Sequence, residues 1–119
     1  MLLVGSQARV IDNSGAKRIQ CIRVIGKKSA GLGDEILGIV SQAQPNSKLP
    51  RKTIVRAVVC QTAKKHPRQS GASVKFSTNS VVLIDNNKNP IGTRLSSGLP
   101  QELRLKGWMK LLSLATDVF

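Results

Sequence analysis

The chain has 119 residues, 40% hydrophobic but only 3% aromatic, and its 19 Lys and Arg against 6 Asp and Glu give a formal net charge of +13 at pH 7. That length suits one compact core, which with so few aromatics must be assembled from Val, Ile, Leu and Ala, as in a small β-rich domain. The charge calls for an anionic partner; a membrane is a poor candidate, since no apolar run nears the ~18 residues of a spanning helix and no long basic amphipathic helix is present to lie on lipid.

The opening stretch "MLLVGSQARVID" has an apolar part too short for a secretory signal and lacks the Arg- and Ser-rich length of a transit peptide. The chain is therefore expected to be made where it works, or to have lost a presequence. Alternation and β-branched residues predict strands near 7–12, 17–25, 35–43, 53–61, 72–77 and 79–85. Turn-forming stretches separate them: "DNSG" at 12–15, "AGLGD" at 30–34 and "DNNKNP" at 85–90. So many short strands spaced like a meander would leave free edges, and closure removes them. The expectation is a mainly β fold: a small closed five-stranded barrel with basic loops. After Gly98 the pattern changes. "PQELR" offers a helix start, and Trp108, Leu111 and Leu112 fall at helical spacing, which predicts short C-terminal α-helices capping the barrel. No linker or repeat divides the chain, so one domain over 1–119 is expected, with strands within about 7–97 and a helical segment at about 99–115.

Residues suited to catalysis are scarce. General acid–base work near neutrality wants paired titratable groups, and His66 is the only histidine. Cys21 and Cys60 sit inside apolar strand patterns with no C-x-x-C, which predicts reduced core thiols. Acids and cysteines do not cluster at metal-ligand spacing, and "GLG" in "SAGLGDE" lacks the third glycine and following helix of a dinucleotide fingerprint. No enzyme activity, metal or cofactor is expected.

The cations carry the signal. No acid occurs from Ile36 to Ile84, a span holding eight cations. They fall into groups, most in predicted turns: Lys17, Arg18 and Arg23; Lys27 and Lys28; Lys48, Arg51 and Lys52; Lys64, Lys65, Arg68 and Lys75. The stretch "TAKKHPRQSG" (62–71) reads as a basic hairpin tip between "TIVRAVVCQ" and "ASVKFS". Any single Lys is readily explained by solvation, whereas the ensemble points to nucleic acid. Tyr is absent, and Phe76 and Trp108 sit where packing explains them, so base stacking on exposed rings is disfavoured. No helix-turn-helix or zinc-finger spacing favours DNA. Folded RNA recognised by shape and phosphate remains, with a free RNA-binding translational regulator as the alternative.

"VIDNSGAKRIQCIRVIG" (10–26), "AGLGDEI" (30–36), "RKTIVRAVVCQTAKK" (51–65), "GASVKFSTNSVVLIDNNKNPIGTR" (71–94) and "ELRLKGWMKLLSLA" (102–115) together resemble the large-subunit ribosomal protein fourteen family, essentially end to end. The resemblance implies a five-stranded barrel with short C-terminal helices, bound to large-subunit rRNA beside ribosomal proteins three and nineteen. It implies a place at the subunit interface, bridging to small-subunit rRNA. It also implies a docking face for a ribosome-silencing factor at Thr93 and Arg94 of "PIGTR" and Lys110 of "WMKLL". The chain departs from bacterial members at "HPRQSGAS", where they resemble "RRPDGS", and in the shorter basic loop "KKSAG". That drift tilts the compartment toward a mitochondrial ribosome, with the bacterial cytoplasm or a plastid as alternatives.

Overall fold

The computed structural model of the chain describes residues 2–26, 28–45, 51–62, 66–67, 73–74, 79–92, 95, 99, 103 and 107–114, with backbone alone at 66–67 and 73–74. The strands among them are β1 (Gln7–Val10), β2 (Ala16–Val24), β3 (Glu35–Ala43), β4 (Ile54–Gln61), β5 (His66–Pro67), β6 (Ser73–Val74) and β7 (Ser80–Ile84), and helix α1 spans Met109–Leu114. Strands β1 to β4 form an antiparallel meander. Strand β7 then pairs antiparallel with β4 and parallel with β1, which closes a five-stranded barrel. Five of the six expected strands appear in the barrel with bounds shifted by a residue or two. The expected strand at 72–77 is corrected: its described part, Ser73–Val74, pairs with His66–Pro67 in a ribbon of its own. Ser73–Val74 is therefore not a strand of the barrel wall.

Alternation builds the interior. Ala8, Val10, Ile19, Cys21, Val24, Ile36, Val40, Val55, Ala57, Val59, Val81 and Leu83 belong to one buried cluster, with the small volumes a narrow barrel requires. Gly38 of β3 faces the same space. A Cβ there would sit 2.8 Å from Ile19 Cδ1 and 3.2 Å from the Gln20 carbonyl oxygen, so Ile19 fills the volume that a side chain would claim. Leu2 closes one end, exchanging backbone hydrogen bonds of 2.8 Å with Ala30 in both directions.

Strands β4 and β7 are apolar on their outer faces as well. Val58, Cys60, Val82 and Ile84 form a second buried cluster with Leu95, Leu99, Leu103, Trp108, Leu111 and Leu112. The i, i+3, i+4 spacing at 108–112 does what it predicts: all three side chains are buried. The Trp108 indole Nε1–H also donates to the Gly33 carbonyl at 2.8 Å. The turn holding Gly33 is in turn fixed to β4, because Gly33 N–H donates to Val59 O at 2.8 Å and Val59 N–H donates to Asp34 O at 3.0 Å. The "GLG" of this segment is a tight turn that receives a helix.

Both cysteines are free and buried, as expected of reduced core thiols. Desolvation pushes both above the ordinary thiol range, because burial disfavours the thiolate.

Two outcomes follow from this packing. Leu111 is fully buried in the second cluster, so Leu111→Ala should lower unfolding stability by about 2–5 kcal/mol in chemical denaturation. A loss below about 1 kcal/mol, under the usual range for such truncations, would show that the C-terminal segment does not cover β4 and β7. For Cys60, the unfolded thiol ionises near its ordinary 9.0, whereas the buried thiol holds its proton to higher pH. Above about pH 9 the unfolded chain therefore binds fewer protons, and stability falls by up to about 1.4 kcal/mol per pH unit. Cys60→Ala should remove that increment from a denaturation series run between about pH 9 and 10; an unchanged slope would contradict the assignment.

Candidate nucleic-acid interface

With β4 and β7 covered by the C-terminal segment, the free outer wall of the barrel is β1, β2 and β3. Strict alternation would send only every second residue of β2 outward. Its burial instead follows two exposed positions, Lys17–Arg18 and again Ile22–Arg23, each framed by buried residues. The register explains this. Pairing with β3 skips Lys17 between Ala16 and Arg18, and skips Ile22 between Cys21 and Arg23, so each is the extra residue of a β-bulge. The bulges turn consecutive residues to solvent, and Lys17 and Arg18 both point away from the core.

Other cations join them. Arg9 of β1 is exposed and lies directly opposite Arg18. Arg51 and Lys52, exposed in the turn before β4, lie at the same end of the barrel as the 12–15 turn, where Gln44 N–H donates to Gly15 O at 2.8 Å. Lys52 takes a positive φ of 68° there. At the opposite end, exposed Lys28 follows Arg23 in the connection between β2 and β3. Of the cations expected to meet RNA, Lys17, Arg18, Lys28, Arg51 and Lys52 are thus exposed in or beside the free wall. Lys27, Lys48, Lys64, Lys65, Arg68 and Lys75 lie outside the described residues. Arg9 is a residue that the sequence grouping missed, because it stands alone rather than in a run; the alternation of "QARV" was the signal that it faces out.

The described carboxylates are committed elsewhere. Asp12 Oδ1 accepts from Ser14 N–H at 3.1 Å and from the Ser14 hydroxyl. Asp34 Oδ2 accepts from Gly31 N–H at 2.8 Å. Asp85 Oδ1 accepts from the amides of Asn87 and Asn89, each at 2.9 Å. Glu35 lies 3.6 Å from Lys88 Nζ. Among the described residues, no carboxylate is paired with Arg9, Lys17, Arg18, Arg23, Lys28, Arg51 or Lys52, and the free wall keeps its positive charge. No group of three or more His, Cys, Asp and Glu among the described residues is placed to hold a metal.

A second surface lies on the covered side. Lys110, on the exposed side of α1, donates to Asn89 Oδ1, and exposed Ile91 and Met109 flank this contact in sequence. The segment after Asn89 runs tightly against the 12–15 turn. A Cβ on Gly92 would fall 2.7 Å from Asn13 Oδ1 and 3.0 Å from Asp12 Cβ, so a side chain there would have to push the 12–13 segment back. Asp12 and Leu95 form a bridge, and Asp12 Oδ2 accepts from Leu83 N–H at 3.1 Å. "DNSG", the "NPIG" segment and α1 therefore meet at one corner, which includes Lys110; Thr93 and Arg94 lie outside the described residues.

The family model described as ribosomal protein L14p/L23e matches residues 1–119. The chain belongs to the ribosomal protein L14p/L23e family, structural constituents of the large ribosomal subunit.

Proposed function

We propose that the chain binds large-subunit rRNA through its free wall and basic loops, by charge neutralisation and shape. The observation that carries this reading is the set of exposed cations on β1, β2 and the turns before β3 and β4, none paired with a carboxylate among the described residues. Barrel strands fix the backbone from which the cations of β1 and β2 project, so only their side chains need ordering on phosphate. The reading also assigns RNA contacts to Lys27, Lys48, Lys64, Lys65, Arg68 and Lys75.

The Lys110 corner takes a different role in this reading. Thr93, Arg94 and Lys110 face the subunit interface, contribute to bridges with small-subunit rRNA and offer a docking face for a ribosome-silencing factor. Ribosomal proteins three and nineteen are its neighbours on the large subunit. Support comes from the motifs "PIGTR" and "MKLLSLA" and from the contact that joins Lys110 to Asn89. Loop drift at "HPRQSGAS" and "KKSAG" favours a mitochondrial ribosome, which the genetic code and neighbours of the coding locus would test.

Engagement of about six phosphates gives a fall of log affinity with log salt at a slope of roughly −5 on an rRNA fragment. A slope near zero overturns the reading, and so does loss of the protein from the large-subunit peak at moderate salt, which a free translational regulator requires. For the corner, Lys110→Glu should impair subunit association and silencing-factor binding while leaving the rRNA slope unchanged. Equal loss of rRNA binding would place Lys110 on the RNA side.

A further inference from the structure

We propose that Arg9 and Arg18 form a two-guanidinium clamp on a single phosphodiester of the RNA backbone. The inference rests on the rRNA-binding reading and assigns one contact within it.

Register brings the two residues together. In the β1–β2 ladder Gln7 faces Gln20, Ala8 faces Ile19 and Arg9 faces Arg18. Ala8 and Ile19 are buried in the barrel interior, so the flanking pairs project outward. The backbone shows which kind of pair this is. Arg9 N–H donates to Asn79 O at 3.0 Å, toward β7, and the Arg18 carbonyl accepts from the Ser41 hydroxyl at 3.3 Å, toward β3. Both residues direct their hydrogen-bonding groups away from each other, so they form a non-hydrogen-bonded pair, the arrangement that brings opposed side chains closest, with Cα atoms about 4.5 Å apart.

Two like charges in that position repel and disfavour the ladder. A carboxylate placed beside them would relieve the repulsion, and none among the described residues is paired with either. The remaining neighbours in the row are polar and uncharged: Gln42 faces Arg18 from β3, and Ser80 faces Arg9 from β7. A guanidinium presents a planar fork that matches phosphate oxygens. A phosphodiester has two non-bridging oxygens and one negative charge, so a single group can accept from both forks and screen them from each other. Exposed Lys17, turned out by its bulge next to Arg18, adds a donor for the adjoining phosphate. The pair stands on two strands of a closed barrel, which supplies the preorganisation such a clamp needs.

The test is a double-mutant cycle on the full chain with transcribed large-subunit rRNA as the probe. Arg9→Gln and Arg18→Gln should each weaken binding by about tenfold. Because both hold one phosphate, the double variant should be little weaker than either single one, and its salt slope should fall by about 0.9 in total. Both free variants should melt no lower than the parent at low salt, which separates lost affinity from lost fold. Multiplicative losses with a slope change of about 1.8 would assign the residues to separate phosphates and overturn the clamp. Unchanged RNA binding in the double variant, alone or together with lost incorporation into particles through a partner protein's carboxylate, would overturn it while leaving the rRNA reading intact. Salt-independent binding of the parent chain would overturn that reading itself.

Discussion

Burial of both faces of β4 and β7 governs the rest of the molecule. Val58, Cys60, Val82 and Ile84 point out of the barrel and would expose an apolar strip if left uncovered. At about 25 cal/mol per Å2 of apolar surface, covering such a strip favours docking of the C-terminal segment over leaving it in solvent. The cover lies on that side, against Val58, Cys60, Val82 and Ile84, whereas the outward residues of β1 and β2 are mostly polar or charged. One hydrophobic seam therefore decides where α1 sits, where Lys110 emerges and which wall stays open to carry charge.

A single carboxylate then organises the corner where the barrel closes. Parallel pairing of β1 with β7 covers only Arg9↔Ser80 and Val10↔Val81, after which Ile11 N–H still reaches Val81 O at 3.2 Å. Beyond that point Asp12 Oδ2 accepts from Leu83 N–H, and a side chain replaces the backbone acceptor that β1 can no longer supply. Its other oxygen holds the Ser14 amide and hydroxyl. The turn that follows β1 is thereby tied to the strand that seals the barrel, and Gly92 packs against it.

Much of this was readable in advance, and the failures have a common cause. Alternation and β-branched residues make β1, β2 and β3 legible as strands, even though β2 departs from strict alternation at its bulges. The amphipathic spacing of Trp108, Leu111 and Leu112 likewise predicts a docked helix. Bulges leave no such signature. Lys17 and Ile22 are ordinary strand residues whose position as extras exists only relative to β3. Strand 72–77 had the right composition and the wrong partner, because pairing is a property of two segments. Arg9 lies between these cases. Counting outward from Asn13 and Ser14 matches Arg9 with Arg18, so the hairpin register was within reach once "DNSG" was taken as its centre.

Charge distribution follows from the same economy of acids. Asp12, Asp34 and Asp85 accept backbone N–H groups within their own turns, and carboxylates so employed stiffen the connections between strands. They do not neutralise the wall. At ordinary ionic strength, charges more than about 8–10 Å apart are largely screened by salt, so the cations at opposite ends of the barrel tolerate one another in the free protein. Arg9 and Arg18 are far closer than that and gain little from mobile ions. A fixed anion between them would relieve that repulsion, which is the electrostatic ground for the clamp proposed above.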